Sequence, residues 1–187
     1  MKKYTYIVLA VVVVAIVGTY LAKSASAPAS VKIGLISGTT GDYAVVGENY
    51  NKGVLLAQEQ WEAAHPNQKT TLVIENDEFN SKRGLSAYQK LASVDNVDAF
   101  ISMTTITVDV AYDLIQKSGK PFMQGFEQST PAEKDNIYQL WPSGVPTEAE
   151  LGAYVKEKGY KNLAVVVSQN IVTWSNFANS FMKGYEG

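Results

Sequence analysis

Two hydrophobic periods take turns along most of this chain. Val31, Ile33, Leu35 and Ile36 form a short, largely β-branched run closed by Gly38, the signature of a buried strand. After the polar loop Gly38-Thr39-Thr40-Gly41-Asp42 the period changes. Tyr50, Val54, Ala57, Trp61 and Ala64 recur at helical spacing, which predicts a helix from Gly47 to about His65 with Trp61 in its core-facing stripe. His65-Pro66 ends it, because a residue before proline avoids helical backbone, and His65 reads as a surface terminator without chemistry. The alternation then repeats. Strands are predicted over Thr70–Ile74, Val97–Met103, Pro121–Gln124, Ile137–Trp141 and Asn162–Ser168. Helices are predicted over Ser81–Ser93, Val108–Lys117, Thr147–Lys158 and Ser175–Tyr185, with Asn80 or Ser81 capping the first of these and Thr147 the third. Strand and helix in alternation predict an α/β fold, a doubly wound and mostly parallel sheet flanked by helices.

The ends of this pattern set the domain organisation. Met1-Lys2-Lys3 followed by the apolar run Tyr6 to Ala22 is a targeting element, a signal peptide or an N-terminal membrane anchor. Its apolar core sits at the lower edge of the roughly 17–25 residues that a spanning helix needs. Cleaved or retained, it places the body of the chain outside the cytoplasm, periplasmic or on the extracellular face, and residues 23–30 form a small-residue linker. The division is therefore 1–29 signal peptide or anchor with linker, 30–141 a first α/β unit, and 142–187 a crossover with the incomplete start of a second unit. Pro142-Ser143-Gly144-Val145-Pro146 is the crossover. One strand and one helix do not cover two faces of a sheet, so the chain reads as the N-terminal part of a protein roughly twice its size.

Composition narrows the chemistry. Hydrophobic residues make up 46% of the 187 and charged residues 18%, which is a globular rather than a disordered balance. A net charge of −2 with no basic cluster in the body argues against nucleic acid as a partner. Without cysteine there are no disulfides and no thiolate sites, and the single histidine excludes a multi-histidine metal centre.

Two stretches carry candidate chemistry. The Gly38–Gly47 loop joins a strand to a helix, where ligands collect in open α/β sheets and backbone N–H groups meet anionic solutes. The plainer alternative is a tight strand-to-helix turn. Thr104-Thr105-Ile106-Thr107 puts hydroxyls and free N–H groups at a helix N-terminus, either a carboxylate-binding cup or an ordinary threonine cap. Glu75-Asn76-Asp77-Glu78 can face an ammonium or a metal, or form a solvated loop, and is left out of the site. An enzyme using the glycine loop for a nucleotide phosphate lacks both the G-x-G-x-x-G spacing and the P-loop lysine.

The run Ile33 to Ala57, IGLISGTTGDYAVVGENYNKGVLLA, resembles the opening of the periplasmic solute-binding proteins of ABC importers, of the branched-chain amino acid (Leu/Ile/Val-binding, type 1) family. Those chains open with a strand, a TG-x-Y-A-x-x-G loop and an N-x-G-x-x-L-A helix, filled here by Thr40 to Gly47 and Asn51 to Ala57. The resemblance implies a type 1 periplasmic-binding-protein-like fold. It also implies a non-enzymatic, cofactor-free protein that captures a small amino-acid-like carboxylate or amide between two lobes and delivers it to an ABC permease. Retention of residues 7–22 would instead make it a membrane-anchored ligand-sensing domain. By the same resemblance Thr105, with Thr104 and Thr107, holds the ligand carboxylate, and Gln128 and Ser129 supply a second set of contacts. Tyr43 and the variable positions Val46 and Phe126 are further candidates, with Phe126 either stacking on the ligand or packing. Trp174 takes the place of the family's aromatic that closes over the ligand from the second lobe, a place where a lone tryptophan otherwise packs. The chain departs from the family in Ser102-Met103 at the end of the third strand, in Gln124-Gly125 after the fourth, and in lacking a glycine after Trp174.

Overall fold

A computed structural model describes residues 30–126, 136–168 and 171–187. The N-terminal targeting segment, Gln128 and Ser129 lie outside the described residues. The elements run β1 (Val31–Ser37), α1 (Ala44–Ala64), β2 (Thr70–Asn76), α2 (Ser81–Ser93), β3 (Ala99–Ser102), α3 (Ile106–Ser118), β4 (Phe122–Gln124), β5 (Ile137–Gln139), α4 (Gly144–Glu157) and α5 (Val172–Glu186). None of the described helices is long and apolar enough to cross a membrane.

The five strands form one parallel sheet in the order β2-β1-β3-β4-β5. Parallel strands need long crossover connections, and α1, α2 and α3 are those between β1 and β2, β2 and β3, and β3 and β4. Pairing puts Gly34 beside Phe100, Phe100 beside Phe122 and Phe122 beside Ile137, so these positions share a face. That face is the core. Ile36, Phe100, Phe122 and Ile137 pack against Tyr88 and Leu91 of α2 and Val108, Ala111 and Ile115 of α3. The rings of Tyr88, Phe100 and Phe122 stand 4.9 to 6.3 Å apart, within the range where aromatic pairs attract. Gly34 leaves room for Leu91, whose side chain would stand 2.9 Å from an added Cβ.

Helix α1 covers the opposite face, and there the sequence expectation needs correction. Val54, Ala57 and Trp61 do turn toward Ile33, Leu72 and Ile101, but a groove of about 590 Å³ stays open between them. Trp61 is 46% exposed rather than a core residue, and it stacks on His65 with ring centroids 3.8 Å apart. The periodicity identified the correct face. It does not report how closely a helix sits on that face.

Two further differences concern the residues after β5. Helix α4 starts at Gly144, with the Ser143 hydroxyl accepting from the Val145 N–H, so Ser143 and not Thr147 is the cap. Pro146 fits inside the first turn, where its missing N–H would have found no acceptor anyway. Asn162–Ser168 is not a strand. The segment has no regular secondary structure and is mostly exposed, and no described strand pairs with it to complete a backbone ladder. Helices α4 and α5 nonetheless pack closely, with Ser180 Oγ donating to the Val145 carbonyl at 2.6 Å.

Candidate functional site at the carboxyl ends of the strands

The strand order reverses direction between β1 and β3, so the loops after these two strands diverge and leave a crevice, the usual ligand position in open α/β sheets. The loop after β1 is fastened from three sides. Gly47 lies so close to Gly38 that a Cβ would stand 1.8 Å from the Gly38 carbonyl oxygen. Ser37 Oγ donates to Asn51 Oδ1 at 2.7 Å in a buried bond that ties β1 to α1. Thr39 N–H donates to Asn76 Oδ1 at 2.9 Å, and Asn76 Nδ2 donates to Thr40 Oγ1 at 2.7 Å, linking this loop to the one after β2.

The loop after β2 is bent into the left-handed region at two consecutive residues, Glu78 (φ 47) and Phe79 (φ 54). Such residues each cost on the order of 1–3 kcal/mol and persist only where the surroundings fix them. Here Asn76 Oδ1 accepts from Glu78 N–H and Asp77 Oδ1 from Phe79 N–H, both at 3.1 Å. The result is that Phe79 covers Gly38 and stacks on Tyr43, with centroids 4.4 Å apart.

Asp77 is wholly buried, and its Oδ2 accepts from Thr104 Oγ1 at 3.1 Å, joining the β2 and β3 loops. Burial is the larger influence and pushes its carboxyl above the ordinary 3.8, against the opposing hydrogen bonds from Phe79 and Thr104. A carboxyl raised in the folded state binds its proton more tightly there than in the unfolded chain. Its contribution to stability is therefore fully present below the unfolded value and is lost as pH rises through the raised folded value. Asp77→Asn keeps an acceptor and a donor in the same volume and does not titrate. The variant is expected to gain on the wild type as pH rises above the ordinary carboxylate value of 3.8. Urea unfolding at several pH values measures this, and a constant offset between the two proteins would contradict it.

The loop after β3 differs from what the sequence suggested. All three threonines are buried, but their hydroxyls are not left free to form a cup. Thr104 donates to Asp77, and the Thr105 hydroxyl is hydrogen-bonded to Asp109. Thr107 is fully buried against Gly84 of α2, where an added Cβ would stand 3.1 Å from its Oγ1, and its hydroxyl has no hydrogen-bond partner. Thr107 is thus a packing residue between α2 and α3. What the N-terminus of α3 does present is backbone: its N-cap residue Thr105 makes no side-chain capping bond, so the first-turn N–H groups have no side-chain acceptor from the cap.

The remaining predicted residues spread along the same edge of the sheet. Tyr43 and Val46 are exposed at the start of α1, and Phe126 is exposed just past β4. Tyr50 Oη lies where a side chain on Gly125 would stand, 2.5 Å from an added Cβ. Trp174 lines a hollow of about 530 Å³ between α5 and residues 164–168. Two aromatics at this edge were not singled out from the sequence: Phe79 after β2 and exposed Trp141 after β5. Their signal was available, since each follows a strand end by a few residues. Asp109 was also missed, because one acid in a predicted helix reads as part of a solvated face.

No curated protein sequence gives a significant match. Solved structures do match in fold. LivJ, the branched-chain amino acid transporter substrate binding protein from Streptococcus pneumoniae, in complex with isoleucine, superposes with a TM-score of 0.70 at 20% identity, over 85% of this chain and 47% of that one. A solute binding protein of an ABC transporter from Rhodopseudomonas palustris BisB5, in complex with 3,4-dihydroxybenzoic acid, gives 0.69 at 18% identity over 84% and 44%. A possible leucine/isoleucine/valine-binding protein from Rhodopirellula baltica SH 1 gives 0.70 at 17% over 86% and 45%. The chain thus spans less than half the length of each of these structures, and it shares with them the type 1 periplasmic-binding-protein fold. The family model for periplasmic binding proteins matches residues 30–182, nearly everything after the N-terminal segment, and the chain belongs to the periplasmic binding protein family.

Proposed function

We propose that this chain provides the first lobe and the beginning of the second lobe of an extracytoplasmic solute-binding protein. The protein captures a small amino-acid-like carboxylate between two lobes and delivers it to an ABC-type importer in the membrane. The observation that carries this reading is the N-terminus of α3 at the crevice beside β1, without a side-chain cap. Its first-turn amides and the positive end of the helix dipole suit a carboxylate. Thr104 and Thr105 position this turn through Asp77 and Asp109, rather than through hydroxyls donated to the ligand. Around it, Tyr43, Phe79 and Phe126 offer aromatic surface for an apolar body, and Val46 sets the width of the mouth. The ligands of two fold neighbours, isoleucine and 3,4-dihydroxybenzoic acid, share this pairing of carboxylate and apolar body. Gln128 and Ser129 remain proposed contacts of the loop after β4. Closure over the solute is a population shift driven by contacts made only in the closed state, with the crossover after β5 as hinge.

Calorimetry with the full chain tests the carboxylate requirement. Isoleucine and 3,4-dihydroxybenzoate are compared with their carboxamides. A charge-assisted hydrogen bond contributes about 1.5–3 kcal/mol, so at least one acid is expected to bind about tenfold or more tightly than its amide. Equal affinity for acid and amide, or no binding by either pair, counts against the reading.

A further inference from the structure

Helix α5 begins without a cap of its own. Its N-cap residue Ile171 has an apolar side chain and makes no side-chain capping bond, although both Ile171 and Thr173 are buried, Thr173 completely. A buried helix start leaves N–H groups that need acceptors. The acceptor comes from the other lobe. Asp109, in the first turn of α3, takes a hydrogen bond from Thr173 Oγ1, which stands 3.0 Å from Oδ2 and 3.2 Å from Oδ1, and another from the Thr173 backbone N–H. The Thr105 hydroxyl donates to the same carboxylate. No described ion pair includes Asp109. Burial, the larger influence, pushes its carboxyl above the ordinary 3.8, and the hydroxyls, the amide and two helix N-termini oppose it, a set of neutral partners that suits an acidic cap.

We propose that Asp109 is an interlobe latch: by capping α5 in trans it holds the second lobe against α3 and sets the balance between open and closed cleft. Asp109 lies between Thr105, at the proposed carboxylate site, and Thr173, 64 residues further along the chain. Separating the lobes strips α5 of its cap and leaves the Thr173 hydroxyl and N–H without this acceptor, so the contact favours the closed arrangement before any solute arrives. A solute that needs closure then meets a larger closed population, and its apparent affinity rises in proportion. Asp109 acts here as a positioning residue, and this role rests on the two-lobe solute-binding reading.

The test uses the full chain with Asp109→Asn, Thr173→Val, the double variant and Thr173→Ser, with isoleucine as probe. Small-angle scattering of the unliganded proteins reads lobe separation directly, and calorimetry reads affinity. Coupling energies between sites commonly correspond to about 5–150-fold, so a loss of about tenfold in affinity is expected for Asp109→Asn and for Thr173→Val. Each single variant should also show a larger radius of gyration than the wild type. The double variant should go no further than either single, and Thr173→Ser, which keeps the hydroxyl, should behave as wild type. An unchanged radius in both single variants overturns the latch, whatever the affinities. If the radius shifts but isoleucine binds none of the proteins, the latch stands and the solute assignment fails. If isoleucine binds all of them equally and the radius is constant, the latch fails and the solute assignment stands.

Discussion

Gly47→Ala is expected to destabilise the protein by more than about 3 kcal/mol, the upper part of the range for overpacking a close contact. The added Cβ would lie 1.8 Å from the carbonyl oxygen of Gly38 and 2.6 Å from its carbon. Both are backbone atoms, so no rotamer change relieves the overlap. Helix α1 would have to lift from the end of β1, which breaks the buried Ser37–Asn51 hydrogen bond and moves Tyr43 away from Phe79. The same helix supplies its own control. A Cβ at Gly53 meets nothing within 4 Å, and alanine is the better helix former by about 0.5–1 kcal/mol, so Gly53→Ala should stabilise. Urea unfolding midpoints of the two variants should move in opposite directions from the wild type. Equal midpoints for Gly47→Ala and wild type would show that α1 does not approach Gly38 this closely.

Gly184→Ala is expected to cost a comparable amount, about 3 kcal/mol, and to confine the damage to the α4–α5 pair. Helices α4 and α5 approach through two glycines facing each other's backbone. A Cβ on Gly184 would stand 1.9 Å from the Ala149 carbonyl oxygen, and one on Gly152 would stand 2.0 Å from that of Phe181. Either methyl forces the helices apart, and Ser180 then loses its bond to the Val145 carbonyl. Native-state hydrogen exchange distinguishes this from general destabilisation. Amides of α4 and α5 should lose protection, while those of β1, β3 and α2 retain it, because the core of the sheet does not include either helix. Uniform loss across the sheet and the α4–α5 pair would contradict the separation of the two packing units.

The parallel sheet and its flanking helices were legible in the sequence because these elements bury their apolar faces against one another. Val31 to Ser37, Ser81 to Ser93 and the strand before Thr104 all formed where periodicity placed them, and the glycine loop carried the family resemblance. Where the reading failed, the missing information was tertiary. Asn162–Ser168 has the composition of a buried strand, yet Val166 is 96% exposed, because strand propensity does not supply a neighbouring backbone. Trp61 lies on the predicted face of α1 but over an open groove. Pro146 reads in the sequence as part of a chain-breaking crossover and sits in the first turn of a helix instead. In the site, residue types at a helix N-terminus pointed to the correct junction but not to the use of each hydroxyl. Thr104 and Thr105 engage carboxylates of this chain, and Asp77 and Asp109 hold the loops that present α3.

The most direct measurement of the central claim is the amide spectrum of the isotopically labelled full chain as isoleucine is added. If the N-terminus of α3 receives the carboxylate, the amide protons of Ile106, Thr107 and Val108 should shift downfield together and saturate with the binding isotherm. The amides around the groove of Val54, Trp61 and Leu72 should stay in place. Saturating shifts confined to that groove, with the first turn of α3 unmoved, would contradict the account.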